Sequence, residues 1–420
     1  MSTAVVELKQ RIDEANREAA TRLTAASPVL VDVAPARDVI EGLEDRMILH
    51  SGPPIEWNRM CGAQQGAVVG MTLLEGWAPS ATDAYRMLER GQIRLEPAHH
   101  HHAVGPMAGT ISPSLPVWVV ENGAYGNRAC CRPAEERQQF GDYGEEAIEG
   151  LRRWRDVLAP TLRKAIAREG GLNLKPIIAK ALQMGDELHN RPNAASSLFA
   201  NAITPSLVAA NTDQEAIIAT LQHLRYNEFL FLGISMASAK ASIEPADDVE
   251  FSTMVTAMAR NGTEFGIRVS GSPGQWFTAP APKVEGLLLP GYKDSDAGLD
   301  MGDSAITETV GWGGFVIGGA PGILALTGGT PEEAVSYTRA MHEITVTTSP
   351  DYRMPALGFE GAPVGIDVRK VVKTHILPII DTAIAHKDAG HPKIGAGLVR
   401  PPMKCFEDAL SAFARRHGVS

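Results

Sequence analysis

Residues 310–330, VGWGGFVIGGAPGILALTGGT, carry no charged side chain, and no other feature limits the fold of this chain as strongly. A run of that length is either a bilayer-spanning helix or the interior of a folded domain. Its dense glycines and the Ala-Pro-Gly interruption weaken a continuous helix and suit close backbone packing, so the expectation is a buried core segment with no membrane role. The remainder of the chain supports this reading. With 420 residues, 44% hydrophobic and 21% charged, it reads as globular and long enough for two to four domains.

The net charge of −10 argues against a dominant nucleic-acid or anionic-membrane surface and favours small-molecule substrates, while leaving room for a local cationic pocket. The four cysteines (Cys61, Cys130, Cys131, Cys405) contain no C-x-x-C pair. They fit a reducing cytoplasm better than a disulfide framework. The opening MSTAVVELKQRIDEANREAATRL is amphipathic and charged, without the apolar stretch of an export signal.

A helical pattern over 3–23 precedes the strand candidates VLVDV and MILHSG. In WNRMCGAQQGAVVGMTLLEGWA, Gly62, Gly66 and Gly70 recur every fourth residue and share one helix face. Simple close packing there outweighs a ligand pressed on the face. SATDAYRMLERGQ predicts a helix capped by Ser80 or Thr82. Helical periodicity dominates from about 143 to 242, including LKPIIAKALQMGDELHN and a long pattern from TPSLV to AKASI. Strand-like EFGIRVSG, QWFTAP and EGLLLPG follow, then helices near TPEEAVSYTRAMHEI and PMKCFEDALSAFARRHG. The elements do not alternate as βαβ units, which predicts a multidomain α+β architecture. Its expected parts are a mixed α/β region over 1–142, a mainly helical inserted domain over 143–242 and an α+β domain over 243–420.

No P-loop, H-E-x-x-H or G-x-S-x-G motif is present, and GISMA around Ser235 lies in a helical run. Polar clusters must carry any chemistry. MGDELHNR (184–191) gathers Asp186, Glu187, His189, Asn190 and Arg191. At helical spacing Asp186 shares a face with His189 and Asn190, and the plain alternative is a solvated helix end with a Glu187–Arg191 ion pair. MARNGTEFGIRVSG places Arg260 and Asn261 beside Gly262, where a guanidinium fork and an amide suit a carboxylate or phosphate. LDMGDSAITETVGWGG presents Asp300, Asp303, Ser304, Thr307 and Glu308, which also read as ordinary helix-start residues. His386, Lys387 and Arg400 sit among glycines in DTAIAHKDAGHPKIGAGLVRPP, a segment suited to close approach of an anion. The run His99–His102 reads as a polar active-site wall, as part of a divalent-metal site, or as neither, since adjacent histidines in an extended run point to alternate sides.

Long ordered stretches, among them LHSGPPIEWNRMCGAQQGAVVGMTLLEGWA, HHHHAVGPMAGTISPSLPVWVVEN, ALQMGDELHNR, TAMARNGTEFGIRVSG, GDSAITETVGWGGF, GAPVGIDVRKV and IAHKDAGHPKIGAGLVRPPMKCF, resemble the YlbE/YahG-like family of bacterial proteins. Members occur beside carbamate kinases and beside a protein resembling succinyl-CoA synthetase subunits in purine-degradation operons. One is regarded as a subunit of oxamate carbamoyltransferase. The resemblance implies carbamoyl, ureido or amide chemistry on a small carboxylate such as oxamate or oxalurate, in purine or pyrimidine nitrogen catabolism. It also implies a second subunit as partner.

Carbamoyl transfer needs donors for phosphate, polarisation of the carbamoyl oxygen and a dock for the acceptor carboxylate. Arg260 with Asn261 suits an anion. His189, or His100 or His101 from the run, suits carbonyl polarisation or proton transfer, oriented by Asp186 or Glu187. Asn190, Arg191, Ser304, His386, Lys387 and Arg400 are further substrate contacts. No organic cofactor is needed, and a divalent metal stays open. The alternatives are a hydrolase or lyase of a ureido or cyclic amide compound, and a non-catalytic subunit of a carbamoyltransferase complex. A homo-oligomer is expected from base rates alone.

Overall fold

The computed structural model of the chain describes residues 3–418. A five-stranded sheet organises the N-terminal part, in the spatial order Ala103–Val104, Arg128–Cys131, Pro116–Asn122, Pro28–Pro35, Leu172–Asn173. All its pairings are antiparallel except that of Ala103–Val104 with Arg128–Cys131. The helix Leu230–Ile243 crosses this sheet with every residue buried, as a helix apolar on all sides must be. Ala159–Glu169 packs on the strand Pro28–Pro35. Trp118 meets Trp154 and Phe199 edge-on, so the helical residues between 143 and 242 and the sheet bury their apolar side chains in one continuous cluster.

The expected α+β class is the one observed. Beyond residue 250 lie a four-stranded antiparallel sheet (Phe277–Pro280, Glu264–Val269, Val255–Asn261, Met301–Gly302), a three-stranded one (Glu285–Leu288, Lys393–Val399, Ile380–Ala385) and the hairpin Thr345–Met354 with Glu360–Ile366. The helices Pro331–Ile344 and Met403–Arg416 fill a second cluster around Phe265, Phe315 and Phe406. The N-terminal helix Thr3–Thr24 is tied to this half by Asn16, whose amide donates to Thr253 Oγ1 (3.0 Å) and Asp367 Oδ2 (3.1 Å) and accepts from Thr253 N–H (2.8 Å) and Ser252 Oγ (2.9 Å).

Two glycine patterns find their reasons here. On the helix Gly62–Leu74, a Cβ at Gly62 would stand 2.6 Å from the Lys387 carbonyl and one at Gly66 2.3 Å from that of Gly141. The shared face is pressed by backbone at these two positions and by the Gln138 side chain at Gly70. Residues 310–330 form a string of short helical turns, buried through Ala320. Among the described residues no helix is long and apolar enough to cross a membrane.

Some expected helices end early. The long pattern up to AKASI divides into Asn193–Ala210, Gln214–Tyr226 and Leu230–Ile243. Asp213 caps the second of these by accepting from Glu215 N–H and Ala216 N–H. The helix Lys175–Gln183 stops before MGDELHNR, because Gly185 (φ 81°) and Leu188 (φ 67°) leave helical space.

Candidate functional site

The loop after Gln183 is shaped by its own acids. Asp186 accepts from Leu188 N–H (2.8 Å) and Ala195 N–H (2.9 Å). Glu187 accepts from the N–H groups of His189 (2.5 Å), Asn190 (3.1 Å) and Arg191. Neither acid orients the His189 ring, as helical spacing had suggested; both satisfy the backbone of a tight turn, which turns His189 into the interior. There the ring Nδ1 lies 2.8 Å from Glu308 Oε1, 3.1 Å from Asp381 Oδ1 and 3.1 Å from Thr307 Oγ1.

Glu308 belongs to the one-turn helix Ile306–Thr309 and is held on two sides. Thr307 Oγ1 donates to its Oε2 (3.0 Å) and Gly314 N–H to its Oε1 (3.0 Å). Gly313, at φ 59°, passes so close that a Cβ there would stand 2.1 Å from Oε1. The glycines of the uncharged segment thus let backbone run against a buried carboxylate. Asp381 comes from the fully buried strand Ile380–Ala385. Both its oxygens lack a hydrogen-bond partner. The 3.1 Å approach to His189 is an ion-pair distance, and Glu308 stands closer to the same Nδ1.

The electrostatics follow from that crowding. Burial opposes charge on His189, but the Glu308 and Asp381 carboxylates outweigh it and lift the imidazole pKa to about 10. Burial raises Asp381 to about 6, against the pull of His189. Glu187 is pushed well above the usual carboxylate range, first by burial and then by the charges of Asp381 and Asp186. Burial also lifts Asp186 to about 6. One imidazole therefore faces several acids in a region sealed from water.

His189 borders a cavity of about 20 Å³ with Asn190, Ser304, Met107 and Phe229. That is room for a water, not for a substrate. Asn190 is fixed by its amide donating to Thr382 O (3.3 Å). His189, Asn190 and Ser304 are thus the expected residues that the fold brings together.

Arg260 and Asn261 serve the framework. Arg260 lies fully buried on the strand Val255–Asn261 and forks onto Asp300 (Nε to Oδ2 2.7 Å, Nη2 to Oδ1 3.1 Å). Its remaining donors go to Gly302 O (2.8 Å), Thr382 Oγ1 (3.0 Å) and Ser304 Oγ (3.5 Å), which leaves no N–H for a ligand. Asn261 donates to Pro53 O and accepts from the N–H groups of Thr263 and Glu264, closing a hairpin turn.

The remaining candidates are dispersed. His386 stacks on His391 (centroids 3.7 Å apart) and borders a separate cavity with Lys387, Cys61 and Gly262. The Lys387 ammonium donates to Ser295 O (2.8 Å). Arg400 is exposed, over the Tyr337 ring, and Arg191 is half-buried beside Gly322. The histidine run diverges: His99 is buried 3.6 Å from Asp303, His100 accepts from Trp276 Nε1, His101 faces Glu41 O, and His102 pairs with Glu244. His100 and His101 share no partner with His189.

Of the two residues that complete the site, Glu308 was named in the cluster LDMGDSAITETVGWGG without a role in a site, and Asp381 was not singled out. Glu308 reads as a helix-start acid. Asp381 did carry a signal, as the lone charge inside the apolar PIIDTAIA, where a buried carboxylate needs a reason.

An α+β chain with this buried histidine–carboxylate centre can be placed among known proteins. A family model described as oxamate carbamoyltransferase subunit AllG matches residues 93–304. The chain is 42% identical to the oxamate carbamoyltransferase subunit AllG of Escherichia coli (strain K12), over 97% of this chain and 99% of that protein. It is 45% identical to the uncharacterized protein YahG of the same organism, over 98% of this chain and 88% of that protein. The crystal structure of a conserved protein of unknown function from Enterococcus faecalis V583 superimposes with a TM-score of 0.95 at 43% identity, covering 97% of this chain and 99% of that one. The chain belongs to the AllG family.

Proposed function

We propose that the chain is one subunit of a carbamoyltransferase that exchanges a carbamoyl group between a ureido carboxylate of the oxalurate class and phosphate. The observation that carries this reading is the match, over nearly the whole of both chains, to an oxamate carbamoyltransferase subunit. In the forward step phosphate oxygen attacks the carbamoyl carbon, the C–N bond breaks, and the released amide nitrogen takes a proton. The carbamoyl oxygen gains negative charge on the way, which a buried donor or cation stabilises.

The need for a partner is supported by the state of the buried cations. Among the described residues the buried arginines and lysine are Arg132, Arg260 and Lys240, paired with Glu135, Asp300 and Glu244 respectively, and the buried His189 faces Glu308 and Asp381. With its buried cations committed, this chain offers phosphate and carboxylate no free buried cation, which favours donors supplied by another chain. A purified complex given oxalurate and phosphate is expected to form carbamoyl phosphate and oxamate, and the chain by itself neither. Phosphate-independent cleavage of oxalurate by the chain alone would overturn the proposal in favour of a hydrolase.

A further inference from the structure

We propose that His189 Nδ1, Glu308 and Asp381 bind one small octahedral divalent cation of the Mn²⁺ class. The three side chains are buried and offer ligand atoms that all lie within 4.8 Å of one another. From Nδ1 the separations are 2.8 Å to Glu308 Oε1 and 3.1 Å to Asp381 Oδ1. Neighbouring ligands of an octahedral ion with bonds of about 2.1 Å stand about 3.0 Å apart, whereas tetrahedral zinc spreads its ligands to about 3.3 Å. The two separations from Nδ1 accommodate the octahedral ion. An imidazole beside two carboxylates favours Mn²⁺ over Mg²⁺, which prefers oxygen and water.

Asp381 gives independent support. Its carboxylate is completely buried, lies against the other two ligands and has no hydrogen-bond partner on either oxygen. The His189 imidazole is its cationic neighbour and is shared with Glu308, so two buried carboxylates face at most one positive charge. The nearby guanidinium of Arg260 cannot supply a second, because its fork is committed to Asp300. A dication would neutralise both carboxylates and leave the imidazole neutral. The Thr307 hydroxyl, 3.1 Å from Nδ1, stands at the same place. Gly313 and Gly314 fix Glu308 from behind. This goes beyond the carbamoyl-transfer reading and does not depend on it.

The rival occupant of the same space is a proton, shared among His189, Glu308 and Asp381. Full-length protein stripped with chelator is titrated with Mn²⁺ by calorimetry and electron paramagnetic resonance, with Mg²⁺ and Zn²⁺ as comparison. One equivalent of Mn²⁺ per chain is expected, with a rise in Tm. Asp381→Asn and Glu308→Gln should each weaken binding by at least the roughly 10- to 100-fold that losing an outer-shell partner costs. A double variant, His100→Ala with His101→Ala, should bind as the wild type does, excluding the surface histidines as the source. If the ligand variants fail to fold, nitrogen NMR of wild-type His189 decides: Mn²⁺ should broaden its signals and a diamagnetic dication should remove the Nδ1 proton. Absence of binding, binding indifferent to Asp381→Asn in folded protein, or an Nδ1 proton that persists at saturating metal would overturn the assignment.

Discussion

Arg260 illustrates how residue type and residue role come apart. Its guanidinium has the shape that recognises carboxylate or phosphate, and it does recognise a carboxylate, that of Asp300, inside its own chain. Arg260→Ala would strand a buried Asp300 charge and also release Gly302 O and Thr382 Oγ1. The expected result is a loss of about 3–5 kcal/mol of stability, seen as a lower urea midpoint. Arg260→Lys should rescue little, since one ammonium cannot span both Asp300 oxygens. A stable Arg260→Ala protein with weakened anion binding would return the residue to the active site. His189 is the opposite case. It was a candidate from sequence, but its partners there were not legible, because Glu308 and Asp381 reach it from distant segments that only the fold assembles.

At the level of elements, the legible parts were those whose ends are written locally. The helix Pro331–Ile344 begins with a capping box in which Thr330 and Glu333 satisfy each other's backbone N–H, and Ser80 caps Ala81–Glu89 in the same local way. The helix misread through MGDELHNR failed for an equally local reason, the left-handed Gly185 and the acids that bind turn N–H groups. What no local pattern discloses is how the N-terminal helix docks. Asn16 makes four hydrogen bonds to Ser252, Thr253 and Asp367, near the start and end of the C-terminal half. Asn16→Ala should strip Thr253 N–H of its acceptor and remove one contact each from Thr253 Oγ1, Ser252 and Asp367, at a cost of about 1–3 kcal/mol. Hydrogen exchange should show faster exchange confined mainly to residues 3–24 and to the segment around Thr253. Exchange unchanged in both segments would mean that apolar packing through Ala19 and Leu23 holds the helix without the clasp.

Across the whole molecule, Asp303 joins the two halves, and its protonation ties their union to pH. Gly52 N–H donates to its Oδ1 (2.7 Å) and Gly105 N–H to its Oδ2 (3.0 Å), so one carboxylate from the C-terminal half secures two glycine-proline loops of the N-terminal half. Those donors favour the anion, but complete burial outweighs them and raises the group from 3.8 to about 7. An acid with its folded pKa above its unfolded one binds more protons when folded. Stability therefore falls as pH rises between the two values, with a slope approaching about 1.4 kcal/mol per pH unit for this one group. Below pH 4 the contribution is complete, and above pH 7 it is gone. Unfolding free energies from urea titrations between pH 4.5 and 7.5 should decline more steeply for the wild type than for Asp303→Asn, whose amide cannot titrate. The comparison rests on the slopes, because the amide also loses an acceptor for one N–H and shifts the absolute stability. Equal slopes would mean that Gly52 and Gly105 hold Asp303 ionised throughout, making the junction of the two halves an anion clamp and not a proton-linked one.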